Sequence, residues 1–264
     1  MIAPRTVPYA TRARDGHEWE ADVYAPDGIA RAPTAIVLPG EGSSRVTPAF
    51  RDMGSALAGR GIVAVVADHW PAPGARIMGE GGAGFREAVE NAVWLVSSAA
   101  ELTGIEAERL VVYGQSAGGV NGLFVALEGD GAIAAWDAYC GGAIAQQTSG
   151  STTAGFKVDG FVGLNGGYEA PYAMRSLNAD LGTFMSPFSR LERPARVLRF
   201  VVGSRDEVIP APIQARHKEL FEALREAGHD VAVTTVDDGH IPTTGSPGWQ
   251  ASVDAITGLA TEMQ

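Results

Sequence analysis

Short apolar runs alternate with stretches of helical periodicity along most of the chain. Five runs rich in β-branched residues have the length of buried parallel strands, at residues 34–38, 62–67, 109–113, 161–164 and 197–202. A sixth run, at 231–236, alternates apolar and polar positions more strictly. Near the N-terminus, Trp19, Ala21 and Val23 alternate with acidic residues, which predicts a half-solvated antiparallel strand at the edge of the sheet.

Apolar residues spaced three or four positions apart predict helices between these strands. This spacing occurs in five stretches, at residues 50–57, 85–96, 120–127, 213–224 and 253–259. Strand and helix alternate from residue 34 to the end, which predicts an α/β fold with a mostly parallel, doubly wound sheet flanked by helices.

The alternation has no obvious break into two domains. The sequence contains no internal repeat and no Pro-rich or Ser-rich linker, so residues 1–264 are expected to form one domain. Residues 140–155 are small and polar, and residues 165–190 mix Gly, Pro and aromatic residues without a period. We expect these two segments to be small lid or pocket insertions.

Composition excludes several classes of protein. A hydrophobic content of 45% and a charged content of 19% are typical of a globular chain. The formal net charge of −11 would repel phosphate backbones and anionic membranes, so no nucleic acid is expected as a partner. The single cysteine, Cys140, cannot form an internal disulfide and lies in no ligand cluster, which argues against a secreted disulfide scaffold and against a zinc site. Neither a metal nor an organic cofactor is expected. No apolar run is long enough to span a bilayer, and no leader is recognisable, which predicts a cytoplasmic protein.

The sequence Gly-Gln-Ser-Ala-Gly at residues 114–118 matches G-x-S-x-G between a predicted strand and a predicted helix. In that context Ser116 is the candidate nucleophile, lifted above the sheet on a sharp turn. The N–H of Ala117 and the helix N-terminus would then face an oxyanion. The alternative is a plain turn in which Ser116 serves as a helix N-cap.

A serine hydroxyl needs a base within hydrogen-bonding reach, and that base needs an acid to orient it. Asp206 follows one buried strand and His240 follows the next, so Ser116, Asp206 and His240 have the chain order expected of such a triad. His69 also follows a strand and competes with His240, although packing or capping explains it more simply. Asp237–Asp238 compete with Asp206, although they are more simply explained as polar loop residues.

Four stretches resemble the α/β-hydrolase family, in its carboxylesterase-like branch of hormone-sensitive-lipase-type and small feruloyl or acyl esterases. They are DVYAPDG at 22–28, the passage from a predicted helix to the turn at Ser116 at 85–119, the strand that precedes Asp206 with its flanking residues at 186–210, and the segment that leads to His240 at 224–240. The resemblance implies an α/β-hydrolase fold. It also implies hydrolysis of a carboxylic ester through an acyl-enzyme, with Ser116 as nucleophile, Asp206 as orienting acid and His240 as base.

One segment departs from that family. Esterases of this branch usually carry His-Gly-Gly-Gly after the second buried strand, where this chain has LPGEGSS at residues 38–44. Main-chain donors do not depend on the side chain, so the N–H of Glu41 or Gly42 could complete an oxyanion hole with Ala117.

The expected substrate is a small-molecule ester with an apolar acyl or aryl part. Candidate contacts are Gln115, next to the serine, and the aromatic and methionine residues of the second insertion, namely Tyr168, Tyr172, Met174, Phe184, Met185 and Phe188. Ordinary core packing explains each of these apolar residues equally well. Nothing in the sequence indicates an oligomeric state.

Three other functions stay open. Residues 79–84 match G-x-G-x-x-G, but they do not follow a strand end as a dinucleotide-binding loop requires. A hydrolase scaffold can also serve only to bind a ligand. Finally, an acyl-enzyme that excludes water could pass its acyl group to an alcohol or amine, as an acyltransferase or cyclase does.

Overall fold

A computed structural model describes residues 2–11, 16–69, 83–140, 157–168 and 179–261. These residues contain one eight-stranded sheet with the order β1-β2-β4-β3-β5-β6-β7-β8. The strands are β1 Arg5–Thr11, β2 Glu18–Tyr24, β3 Arg31–Leu38, β4 Val63–Ala67, β5 Glu106–Gln115, β6 Gly160–Leu164, β7 Val197–Gly203 and β8 Asp230–Val236. Strands β3 to β8 are parallel to their neighbours in this group, and β2 is antiparallel to both β1 and β4.

The strand predicted from sequence at the edge of the sheet is β2, and that prediction was wrong, because β1 pairs with β2 on its outer side. Ala21 and Val23 are buried, and even Asp22 is only 5% exposed, because β1 pairs along one side of β2 and β4 along the other. Strand β1 has no fully buried residue. Val7 and Tyr9 pack, partly buried, against the core, but an alternation of two residues is too short to predict a strand. Its Pro8 is typical of an edge strand, where a missing N–H costs no ladder bond.

Helices cover both faces of the sheet. They are α1 Pro48–Ala58, α2 Ala83–Ser97, α3 Ala99–Thr103, α4 Ala117–Glu128, α5 Ala132–Cys140, α6 Ala179–Met185, α7 Ala211–Glu226 and α8 Pro247–Thr261. Among the described residues, no helix is long and apolar enough to cross a membrane. The five predicted helices are present as α1, α2, α4, α7 and α8, whereas the short α3, α5 and α6 show too few turns for a period to be read.

The alternation of strand side chains divides the core into two layers. Ile36 and Val112 point to the layer that α2, α4 and α7 cover, and Val37 and Tyr113 point to the layer that α1 and α8 cover. This arrangement confirms the doubly wound α/β sandwich. Because both faces are covered, the ends of the strands are where the loops can form an open site.

Candidate active site

Strand β5 ends at Gln115, and the chain turns sharply at Ser116 into α4. Ser116 has φ 53° and ψ −121°, a backbone conformation that residues with a side chain seldom adopt. The turn fits because its flanking residues are glycines: a Cβ on Gly114 would lie 2.3 Å from the Gly118 carbonyl oxygen. Ser116 stands at the N-cap position of α4, yet its side chain makes no capping hydrogen bond. The N-cap explanation of this serine therefore loses its support.

The Ser116 hydroxyl instead meets a histidine. Ser116 Oγ lies 2.8 Å from His240 Nε2, and His240 Nδ1 lies 2.8 Å from Asp206 Oδ2. The imidazole and the carboxylate are buried, with side-chain exposures of 8% and 4%. The three residues sought from chain order thus form one continuous hydrogen-bonded line, although they are separated by up to 124 positions.

Asp206 is held ionised by its surroundings. Its Oδ1 accepts hydrogen bonds from the main-chain N–H groups of Val208, at 2.9 Å, and Ile209, at 3.1 Å. Burial acts to raise the pKa of Asp206, but the hydrogen bonds from His240, Ile209 and Val208 outweigh it, so the pKa lies below its ordinary value. A carboxylate in this position fixes the tautomer of His240 and leaves Nε2 to face Ser116.

The residues that compete with His240 and Asp206 in the sequence have other surroundings. His69 is 1% exposed, and burial lowers its pKa to about 3. Asp237 forms an exposed ion pair with Arg205, and Asp238 accepts hydrogen bonds from the N–H groups of Gly239 and Gly248. The ring hydrogen bonds to Ser116 and Asp206 are made by His240.

The loop after β3 forms a turn beside the serine. Ser43 N–H donates to the Gly40 carbonyl at 3.0 Å, which places Glu41 and Gly42 at the centre of the turn, and Gly42 has φ 77°. A Cβ on Gly40 would lie 2.9 Å from Ser116 Cβ. The loop that carries the two candidate oxyanion donors is therefore in close contact with the turn at Ser116.

Arg45 anchors the far end of this loop to β2 and to the residue that follows β4. Its main-chain N–H donates to Asp68 Oδ1 at 2.8 Å, and its guanidinium lies 3.2 Å from Asp68 Oδ2. The same guanidinium also binds the Glu20 carboxylate. Sequence reasoning missed this anchor, since nothing in the pattern brings residues of three separate segments together.

Gln115 is 3% exposed, and main-chain groups engage both ends of its amide. Oε1 accepts from Gly40 N–H at 3.1 Å, and Nε2 donates to the His240 carbonyl at 3.2 Å. These bonds argue against the substrate contact expected for Gln115. Asn165, which sequence reasoning also missed, donates to the same carbonyl at 3.2 Å. The sequence signal that could have identified Asn165 is its position directly after β6, the strand next to β5.

The apolar residues proposed for the pocket are mostly packed. Tyr168 is 1% exposed and packs edge-on against Phe161 and Phe200, and Met185 is 2% exposed. Phe184 stacks on Tyr139 with ring centroids 4.4 Å apart. Phe188 is partly buried. Tyr172 and Met174 lie outside the described residues, as do most of 140–155 and of the G-x-G-x-x-G stretch at 79–84.

A buried ion pair holds residues 179–190 against α4. Arg190 Nε donates to Glu128 Oε1 at 2.7 Å, and both side chains are less than 5% exposed. The guanidinium also lies over the rings of Phe124 and Phe184, at 4.6 and 4.8 Å from their centroids. Phe184 is thus fixed to the same helix that begins at the serine.

The described residues offer no group of three or more His, Cys, Asp or Glu side chains able to hold a metal ion. The chemistry that this arrangement can perform is that of its hydrogen-bonded serine, histidine and aspartate, with the N-terminus of α4 next to the serine.

No family model and no curated protein matches the sequence. Solved structures do match. Esterase 2 of Thermogutta terrifontis with bound propionate has a TM-score of 0.71 at 17% identity, over 99% of this chain and 94% of that one. The same esterase phosphoramylated by tabun gives 0.72 at 18%, over 99% and 95%. A dienelactone hydrolase from Anabaena variabilis gives 0.55 at 16%, over 98% and 96%.

These likenesses extend over nearly the whole chain. The chain has the α/β-hydrolase fold, which confirms the fold expected from sequence. At such identities the likeness concerns the fold alone, and the carboxylesterase-like branch stays a prediction.

Proposed function

We propose that this chain is a serine hydrolase that cleaves a carboxylic ester through an acyl-enzyme. The observation that supports this most strongly is the line Ser116 Oγ, His240 Nε2, His240 Nδ1 and Asp206 Oδ2, with both hydrogen bonds at 2.8 Å. A capping serine or a packed histidine requires neither bond, whereas nucleophilic catalysis requires both.

In acylation, Ser116 Oγ attacks the ester carbonyl carbon while His240 Nε2 takes the hydroxyl proton. The new C–O bond gives a tetrahedral oxyanion, and the imidazolium is stabilised by the ionised Asp206. When the bond to the alcohol oxygen breaks, His240 returns the proton to that oxygen. The alcohol leaves, and the acyl group stays on Ser116.

In deacylation, water takes the place of the alcohol. His240 removes a proton from the water as its oxygen attacks the acyl carbon, and a second oxyanion forms. The bond to Ser116 Oγ then breaks, and His240 gives the proton to the departing serine oxygen. The acid product leaves, and the hydroxyl and neutral imidazole are restored.

For both oxyanions we assign the N–H of Ala117 as one donor and the N–H of Glu41 or Gly42 as the second. Ala117 begins α4, so its N–H belongs to the unpaired first turn of a helix and carries part of the helix dipole. The turn at Glu41 and Gly42 lies beside Ser116, as the close approach of Gly40 to Ser116 indicates. Such donors stabilise charge without reorganisation.

The substrate we propose is a small ester with a short acyl chain. Thermogutta terrifontis esterase 2 has been solved with propionate and with butyrate bound, and it is modified by tabun and by paraoxon. The packing of Tyr168, Phe184 and Met185 against helices and strands favours a shallow apolar pocket over a deep one.

A series of p-nitrophenyl esters tests the proposal. Acetate, propionate, butyrate, octanoate and decanoate esters are compared at one pH with the purified chain. We expect turnover of the short esters and a steep fall in kcat/KM from butyrate to decanoate. Turnover of no ester at any chain length would contradict the hydrolase assignment, while turnover that rises towards decanoate would contradict the short acyl pocket. Adding an alcohol and analysing the products separates hydrolysis from acyl transfer.

A further inference from the structure

The main-chain carbonyl of His240 is held by two side-chain amides. Gln115 Nε2 and Asn165 Nδ2 both donate to it, each at 3.2 Å. Gln115 is 3% exposed and Asn165 is 5% exposed, so water does not compete for these bonds. Both amides bond the His240 carbonyl, so what they fix is the main chain from which the ring extends.

The other end of the Gln115 amide reaches the loop after β3. Its Oε1 accepts from Gly40 N–H at 3.1 Å, and a Cβ on Gly40 would lie only 2.2 Å from that oxygen. Gln115 also precedes Ser116 in the chain. A single side chain therefore joins the serine, the histidine and the loop of the candidate oxyanion donors.

Asn165 makes the corresponding connection on the opposite side. Its Oδ1 accepts from Gly203 N–H at 2.7 Å, where β7 ends before Asp206, and its Nδ2 also donates to the Gly239 carbonyl at 2.7 Å. Asn165 has φ 46°, and Asn is one of the few residues that tolerate this conformation. Gln115 thus joins the loop of His240 to the loop at Gly40, and Asn165 joins it to the loop that follows Gly203.

We propose that Gln115 is a positioning residue, which acts with Asn165 to fix the spacing of His240 relative to Ser116 and to the loop at Gly40. This inference rests on the proposed function. Proton transfer from serine to histidine, and stabilisation of the oxyanion, both depend on sub-ångström placement, and a shift of about 1 Å can cost about 100-fold in rate. Loss of the Gln115 amide is expected to lower kcat and to change KM little.

The test compares Gln115→Met with Asn91→Leu. Methionine keeps the length of the side chain and removes both hydrogen bonds. Asn91 is the matched control, because its buried amide donates to another histidine carbonyl, that of His69, also at 3.2 Å. Measured quantities are kcat and KM for p-nitrophenyl butyrate, the rate of inactivation by a fluorophosphonate, and the Tm.

We expect Gln115→Met to lower kcat and the inactivation rate by about 10-fold to 100-fold, with KM within about threefold. Asn91→Leu should lower the Tm comparably and leave kcat near that of the unmodified chain. A folded Gln115→Met with unchanged kcat and inactivation rate would overturn the inference, as would equal losses of kcat in both variants. If the unmodified chain reacts with neither probe, the proposed function itself fails, and the inference fails with it.

Asn165→Asp provides the second measurement. At pH 8 the carboxylate keeps an acceptor for Gly203 N–H but can donate neither to the His240 carbonyl nor to that of Gly239. Because both amides hold the same atom, the losses in kcat of Gln115→Met and Asn165→Asp should not multiply in the double variant. Losses that multiply would show that the two amides act independently, against the joint role proposed.

Discussion

Gly118 lies directly against the end of β3: a Cβ added to it would stand 2.3 Å from the Leu38 carbonyl oxygen and 2.5 Å from that of Pro39. Both obstacles are main chain, which cannot rotate away as a side chain can. The last glycine of the G-x-S-x-G sequence is therefore required by the approach of α4 to β3, independently of any chemistry at Ser116.

We predict that Gly118→Ala lowers the free energy of unfolding by about 1–3 kcal/mol, because the added methyl group forces apart the helix and the strand on which the site is built. Urea unfolding measures the loss. Gly59→Ala is the control, since Gly59 is exposed at the end of α1 with φ −63° and its Cβ would meet nothing nearer than 3.5 Å. The control should be neutral or stabilising by up to about 1 kcal/mol. Equal losses in the two variants would contradict the steric argument.

A second prediction concerns the N–H of Glu41. If this N–H serves the oxyanion, Glu41→Gln should keep most of kcat, because the donor belongs to the main chain. Glu41→Pro removes it and should lower kcat by about 100-fold to 1,000-fold. Circular dichroism checks that the proline variant is folded. Unchanged kcat in a folded Glu41→Pro would move the assignment to Gly42, and a faster Glu41→Gln would mean that the carboxylate faces the oxyanion.

A third prediction concerns stability and pH. His217 in α7 is 7% exposed, and burial lowers its pKa to about 4 against the weaker opposing effect of Asp206. Between about pH 6.5 and pH 4 the unfolded chain binds a proton at this residue and the folded chain does not, so acid favours unfolding. His217→Leu should reduce the stability lost between pH 7 and pH 5, by about 1–2 kcal/mol. Urea midpoints at both pH values measure it.

The control is the unmodified chain, unfolded in urea at the same two pH values. If His217→Leu keeps the full pH dependence, the protonation of His217 is not coupled to unfolding, and the buried neutral imidazole is contradicted.

A fourth prediction concerns the two partners of Ser116. Asp206→Asn and His240→Ala should each lower kcat severely, because the line of hydrogen bonds works only as a whole. The double variant should then be hardly slower than the slower single variant. Steady-state kinetics on p-nitrophenyl butyrate measures all three. Losses that multiply would show two independent residues, and a larger loss for His69→Ala than for His240→Ala would overturn the choice of base.

Local patterns made much of this fold predictable. The passage from β5 through Ser116 into α4 could be foreseen because its strand, its glycines and its helix are contiguous in the chain. The pairing of Ser116 with Asp206 and His240 followed from a second rule, that neighbouring parallel strands bring their carboxyl ends to one edge. That rule identifies a shared edge but no hydrogen bond.

What the sequence left hidden depends on contacts between distant segments. Strand β1 pairs with β2, and the alternation of its two packed residues, Val7 and Tyr9, is too short to predict a strand. The double role of the Gln115 amide depends on the register that places Gly114 opposite Leu38, and hence Gln115 near Gly40. Asn165 was likewise hidden, since its partners at 203 and 239–240 belong to two other loops.

The central claim is that Ser116 is the nucleophile, and labelling by a fluorophosphonate tests it most directly. Peptide mass analysis of the unmodified chain should find one phosphonyl group, on Ser116. Ser116→Ala should take up no label and should hydrolyse p-nitrophenyl butyrate slower by about three orders of magnitude or more, with an unchanged Tm. Label on another residue, or full turnover in a folded Ser116→Ala, would contradict the account.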